Sequence, residues 1–425
     1  MNPWISTLKR HRVVRASAAA IFLYGFAGAA TVPYQALVGI RELRLSDAEY
    51  AMIALVASIT NVALAIGFGL LSDRFQSYRR PLVFVSSFGV IGYGMIWAVP
   101  SALTFAIAMI APLALFHATN SMLFGNVRAQ TARFDPEEAA IVNALMRMMI
   151  SLSWVLVPGA VGLILSGQET MIGSYLIAAL LAGCCLATIL FWLEPDHRSD
   201  HRPAREAAPE GGTGTSLLSP SSGRTDRPAQ VRIVGASFAG IAQLLHPGIL
   251  SRVLGVALIS QVLHVNSAVL PLILTGQAQG EAGEVGGIVG MVAALEVIFM
   301  FFWTRVTRSM PLIHALAITA ALYLVYLTAL AFAAAVWQIW AASLIAGFAA
   351  AGIISLPISY LLDLIRDRPG LSASLIAVNM FLGGALGAGV FAFGSWIGGY
   401  PAASILSGVG GVLGAGLLLG LESRK

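Results

Sequence analysis

The chain has 425 residues, of which 58% are hydrophobic and only 11% charged, about half the roughly 25% charge of an ordinary soluble domain. So little polar surface excludes a soluble globular enzyme, a disordered protein and a nucleic-acid-binding module, and leaves an all-α integral membrane protein. The formal net charge of +5 then matters through where the cations sit, not through an acidic partner.

A membrane-crossing helix needs about 20 mostly apolar residues. In hydrocarbon the backbone must satisfy its own hydrogen bonds, so apolar runs of that length read as helices. The first run, 16–38, follows a basic stretch (Lys9, Arg10, His11, Arg12, Arg15). It exceeds the about 7–15 residues of a secretory apolar core and reads as an uncleaved first span, flanked by Tyr24 and Gln35 and containing Ala30-Thr31-Val32-Pro33. The second run, 49–71, leads into Gly69-Leu-Leu-Ser72-Asp73-Arg74. Gly69 permits close packing there, and Asp73 is placed to pair with a cation and hold one conformation; a purely cationic anchor does not require that Gly-x-x-x-Asp-Arg start. Spans three and four occupy 81–100 and 102–126; the fourth carries His117 and Asn120 and leads to Arg128.

Span five, 139–165, holds Asn143, Arg147, Ser151, Trp154 and Pro158. Spacings of three and four put them on one helical face, which the proline bends. Such a face suits a polyhydroxylated solute, with hydrogen bonds to its hydroxyls and an aromatic ring against its apolar side. It equally suits packing on a neighbouring helix with Arg147 in a fixed pair. Span six, 171–193, contains the adjacent Cys184 and Cys185, whose spacing fits apolar filler and neither a metal nor a redox site.

Residues 194–247 form the one long polar stretch. Its core, 197–232, is rich in Pro, Gly, Ser and Arg and reads as a flexible linker; the weakly amphipathic piece 233–245 suits a membrane surface. The expected organisation is an N-terminal six-helix bundle over 1–193, a cytoplasmic linker over 194–247 and a C-terminal six-helix bundle over 248–425. Span seven, 249–274, carries Gln261, His264, Asn266 and Ala268-Val-Leu-Pro271. Span eight, 285–304, carries Gly286, Gly290 and Glu296, and its small residues allow close helix approach. Spans nine and ten are 311–332 and 336–362, the tenth ending in Tyr360 and Asp363, which are assigned to a gate. Span eleven, 372–396, holds Asn379, and span twelve is 400–421.

The halves look related: Pro33 and Pro271 stand 238 residues apart, Asn143 and Asn379 stand 236 apart. Parallel six-span repeats place a solute site at the midplane between them. With both termini inside, the cytoplasmic face collects 22 of the 25 Lys and Arg residues, while the outer face has only Arg41 and Arg44; this bias orients the chain. Two charged groups remain well inside, Arg147 and Glu296. A charge there costs about 2.5–3.5 kcal/mol on insertion scales, so both are expected to face a cavity or each other. A carboxyl in low dielectric is more readily neutral, which makes Glu296 the candidate proton carrier; the alternative is a static partner for Arg147. His117, Asn120, His264, Asn266 and Asn379 complete the candidate solute-binding set with Asn143, Arg147, Trp154 and Glu296. Asn is donor and acceptor at once and suits hydroxyl ligands. No metal-ligand cluster, cofactor loop or phosphate-binding loop occurs, so neither an enzyme nor an ATP-driven pump is expected.

The loop after span two resembles the signature of the major facilitator superfamily, Gly-x-x-x-Asp-Arg-x-Gly-Arg-Arg, with the inner Gly missing and the Arg pair displaced to Arg79 and Arg80. The corresponding loop of the second half, Thr304-Arg305-Val-Thr-Arg308, lacks the Asp. Within that superfamily the chain is similar to the bacterial sugar efflux transporter family, in Met146-Arg147, Ser151-Leu152, Trp154-Val155 and Pro158, in Leu123-Phe124 followed by Arg128, in Gly286, Gly290 and Ala294-Leu295-Glu296, and in Asp363-Leu364. It departs after Glu296, where Val297-Ile298 stand in place of a frequent Pro. The resemblance implies a monomeric, multi-pass bacterial inner-membrane exporter of sugars or glycosides, working by alternating access with proton antiport, its cytoplasmic gate built from Gly69, Asp73, Arg74, Arg128 and Asp363. The rival substrates are drugs, amino acids and other small metabolites; a non-transporting sensor or a membrane-embedded transferase is the rival class.

Overall fold

The computed structural model describes residues 11–75, 79–131, 134–193, 246–364 and 369–423. The linker core 197–232 and the amphipathic piece 233–245 lie outside these residues, as do the side chains of Gly69, Asp73 and Arg74. Among the described residues there are helices and no strand.

α1 (Arg12–Thr31) stops short of the expected 38. Pro33 has no N–H to continue the ladder, and the chain instead runs through a 3-10 turn, Val32–Tyr34, and a π-helical turn, Leu37–Glu42. α2 (Asp47–Phe75) starts at a capping box. The Ser46 hydroxyl accepts from the Glu49 N–H at 3.2 Å and the Glu49 carboxylate accepts from the Ser46 N–H at 2.8 Å, which satisfies two otherwise orphan donors. α3 is Arg79–Ala98. α4, expected unbroken, divides at Ala111 into Ala102–Ile110 and Pro112–Thr131, because Pro112 opens the second piece. α5 (Pro136–Ile164) and α6 (Gly173–Phe191) complete the first bundle.

The second bundle contains α7 (Pro247–Gly276), α8 (Ala282–Val306), α9 (Leu312–Ala331) and α10 (Val336–Leu364). The helical run Pro369–Glu422 is broken by non-helical backbone at Gly398 and Gly399, the latter at φ 71°, a left-handed conformation that glycine adopts freely. The break separates α11 (369–397) from α12 (400–422). Among the described residues eleven stretches meet the length and apolarity of a membrane span, one of them, Val378–Glu422, running through this break. The chain is thus a multi-pass membrane protein of twelve crossings, with the starts of α1 and α7 and the end of α12 on one side, here named the termini face, and the opposite side the far face. The bundles meet along α5 with α8 and α2 with α11.

Candidate functional site

At the far face the bundles touch backbone to backbone. Gly162 of α5 lies against the Gly283 carbonyl and Gly286 of α8 against the Pro158 carbonyl, so that a methyl group on either glycine would overlap the oxygen it faces. One on Gly290 would stand 2.9 Å from the Val155 carbonyl oxygen. The Tyr34 hydroxyl donates to the Pro158 carbonyl at 2.8 Å, which braces the proline that the sequence places on the polar stripe of span five. Two polar links add to this seam. Arg41 Nη2 donates to the Leu272 carbonyl at 2.8 Å, and the Tyr400 hydroxyl donates to the Asp47 carboxylate at 3.1 Å. Tyr50 and Phe391 meet edge-on beside them, ring centroids 5.9 Å apart.

Followed from the seam toward the termini face, α5 and α8 come to line a cavity of about 470 Å³ between the bundles. From the first bundle it takes Val32, Pro33, Ile150, Ser151 and Trp154. From the second it takes His264, Asn266, Ser267 and Pro271 of α7, Glu296 of α8 and Tyr323 and Tyr326 of α9, among others. Pro33 and Pro271, the two prolines in repeat-related positions, both stand in its wall. Mostly apolar walls with a few convergent polar groups are the composition of a small-molecule site.

The polar groups are held in place. The Tyr326 hydroxyl donates to Asn266 Oδ1 at 2.9 Å. That leaves the amide N–H pair of Asn266 to be offered as donors. Tyr323 packs edge-on against Tyr326 at 5.2 Å between ring centroids. Ser267 Oγ donates to the His264 carbonyl at 2.7 Å, and His264 Nδ1 lies 3.4 Å from the Ser260 carbonyl. Glu296 contributes an acceptor, and among the described residues it forms no ion pair with Arg147. Arg147 is exposed one turn nearer the termini face than Ser151, and Asn143 one turn further still, its amide donating to the Ala139 carbonyl of its own helix at 3.0 Å.

Three candidates sit inside one bundle, away from the cavity wall. His117 Nδ1 and the Tyr24 hydroxyl share a hydrogen bond of 3.0 Å. The Oδ1 of Asn120 is buried and has no hydrogen-bond partner among the described residues. Asn379, buried, donates from Nδ2 to Ser260 Oγ at 3.1 Å. Arg128 and Asp363 are exposed at the termini-face ends of α4 and α10. The sequence reading missed Tyr323 and Tyr326. Their spacing of three puts both on one face of α9, and that pairing was the available signal.

The family model of the Major Facilitator Superfamily matches residues 17–388. The chain belongs to the major facilitator superfamily. A Deinococcus radiodurans protein named "Putative sugar efflux transporter" is 24% identical over 293 residues, covering 68% of this chain and 67% of its own. Among solved structures, a POT family transporter in complex with a thioalcohol-conjugated peptide superposes with a TM-score of 0.74 at 11% identity, over 97% of this chain and 96% of that one. The nucleoside transporter NupG does so with a TM-score of 0.70 at 13% identity, over 100% of both chains. These two likenesses show the fold of this chain.

Proposed function

We propose that this superfamily member is a secondary exporter of sugars or glycosides, driven by proton antiport, in a bacterial inner membrane with both termini in the cytoplasm. The observation that carries the reading is the cavity between the bundles. Trp154 supplies an aromatic surface, Asn266 donors, and Ser151 and Glu296 acceptors, on otherwise apolar walls. A sugar has the matching pattern, hydroxyls around its edge and C–H bonds on its face. The sequence likeness to a sugar efflux protein supports the same class. The far-face seam and the position of the cavity on its termini side support a cytoplasm-facing stage of alternating access. Glu296 is the proton carrier in this reading, and Arg147 and Asn143 stand where a solute enters from the cytoplasm. Gly69, Asp73, Arg74, Arg128 and Asp363 serve the cytoplasmic gate.

The test is efflux of a labelled disaccharide from proteoliposomes, with and without a more acidic exterior. The acidic exterior is expected to speed efflux by the wild type. Glu296→Gln is expected to keep the rate seen without a gradient and lose that acceleration. A gradient that drives a drug or amino acid but no sugar overturns the substrate class, and a wild-type response in Glu296→Gln removes the proton role.

A further inference from the structure

The two polar links that tie the bundles at the far face differ in chemistry. Arg41, on the π-helical turn after α1, donates to the Leu272 carbonyl of α7 at 2.8 Å. A guanidinium keeps its charge throughout the physiological pH range, so acid leaves this link as it is. The Tyr400 hydroxyl of α12 donates to Oδ1 of Asp47, the first residue of α2, at 3.1 Å. An ionised carboxylate only accepts, and an aspartate loses its charge as the pH falls through about 4. Of the two links, only the second responds to acid. Rings hold its geometry. Tyr400 stacks on Phe391 with centroids 6.2 Å apart and planes 9° from parallel, and Tyr50 of α2 meets Phe391 edge-on.

The ionisable neighbours do not stand in for Tyr400. α11 and the first piece of α4 pack on α2 and carry no ionisable side chain. The second piece of α4 also packs there, with His117 bonded to Tyr24 and Arg128 at the opposite, termini face. In the π-helical turn, Glu42 accepts from the Thr170 hydroxyl and from the Met171 N–H at 2.8 Å, both inside the first bundle. Arg41 interacts electrostatically with the Tyr400 hydroxyl, and Arg44 is exposed. On α2 itself Glu49 caps the helix through Ser46, and Tyr50, like Tyr400, titrates near 10 or above, outside the acid range. Charge-assisted hydrogen bonds are about twice as strong as neutral ones. The link from Tyr400 to Asp47 is therefore at full strength above the carboxylate range and weakens as the pH falls through it, so acid shifts the far face toward parting.

We infer that Asp47 and Tyr400 form an acid-sensitive latch on the far face, beside the acid-indifferent link through Arg41. It rests on the proposed orientation for the side from which acid acts: the far face is then the exterior, and the exterior acid that drives export also loosens the closure through which Glu296 is reached. The test is labelling of Ser267→Cys, a cavity position, by a membrane-impermeant maleimide from the far face, in full-length protein with Cys184 and Cys185 replaced. The same thiol is read in every variant, so its own titration cancels in a ratio of rates. Asp47→Asn is expected to label about threefold faster than the parent at about pH 7.5, with the ratio falling toward one at about pH 4. In a Tyr400→Phe background, which keeps the ring stack, Asp47→Asn is expected to change nothing at either pH. If Asp47→Asn fails to fold, Tyr400→Phe against the parent carries the test, with a ratio that shrinks in acid. A ratio equal at both pH values, or an effect of Asp47→Asn that persists without the Tyr400 hydroxyl, overturns the inference. Labelling needs no solute, so a failure of the sugar or proton reading shows separately, in the efflux assay.

Discussion

From Val155 to Gly162, α5 meets α8 through glycines and carbonyl oxygens; from Ile150 to Trp154 the same helix turns side chains toward a cavity. α8 divides in the same way, glycines at 283, 286 and 290 and then a wall running to Glu296. Glycine-to-carbonyl contact depends on shape. Each such approach is worth only about 0.5–1 kcal/mol, and small residues are what allow helices in a membrane to come this close. A seam of this kind has no long side chains to disentangle when it parts. The cavity half is the reverse, with large rings and hydrogen-bonding groups held apart by their own bundles. In the proposed alternating-access reading, one pair of helices carries both the closure and the recognition surface, separated by about one turn.

The sharpest way to break the contrast is to fill the seam. Gly286→Leu drives a side chain into the Pro158 carbonyl and the Tyr34 hydroxyl. Overpacking of this sort costs about 1–3 kcal/mol, which is about 5- to 150-fold in the balance between closed and parted far faces. The readout is labelling of Ser267→Cys, a cavity position, by a membrane-impermeant maleimide in a background without Cys184 and Cys185. Labelling from the far face is expected to rise by that factor and solute transport to collapse. Unchanged labelling would mean that the seam is not the far-face closure.

The polar links beside the seam are expected to matter less. Arg41→Gln removes the donor to the Leu272 carbonyl, and Tyr400→Phe the donor to Asp47. Arg41 is exposed, where solvent screening limits a charge to about 0–1 kcal/mol, and each variant should raise the same far-face labelling about three- to fivefold. A double-mutant cycle sharpens the point. Additivity within about 0.5 kcal/mol marks two independent latches, and a larger coupling marks one network.

How much of this was legible in the sequence depended on the kind of signal. Runs of apolar residues located the crossings, because hydrocarbon permits a backbone few alternatives. Pro33 and Pro271 were found as a repeat, and both reached the cavity. Breaks were harder to see. The early stop of α1 at Thr31 and the division of α4 at Ala111 both follow from prolines, yet hydropathy averages over them. Polar residues in spans could be listed but not aimed. Trp154, His264, Asn266 and Glu296 share one cavity, whereas Asn379 bonds Ser260 and His117 bonds Tyr24 inside their own bundles. A one-residue change in helix phase moves a side chain by about 100°, and without the neighbours that angle has no reference. Tyr323 and Tyr326 escaped notice for a related reason. In a span, tyrosine counts as an ordinary large apolar residue until something shows what its hydroxyl touches.

That hydroxyl gives the smallest and most specific test on the cavity side. Tyr326→Phe keeps the ring but releases Asn266 Oδ1, so the amide loses the contact that fixes which end it presents. A neutral hydrogen bond contributes about 0.5–1.5 kcal/mol, and a two- to tenfold rise in the KM for transport is expected with little change in maximal rate. Lost packing would give a different pattern, since Tyr326 is 1% exposed and a packing defect would lower thermal stability and maximal rate together. The deciding experiment repeats Tyr326→Phe in an Asn266→Ala background. If Tyr326 acts by orienting the amide, the second substitution adds nothing to the KM. If the effects add in full, Tyr326 contacts the solute itself, and the donor face of the cavity has to be reassigned from α7 to α9.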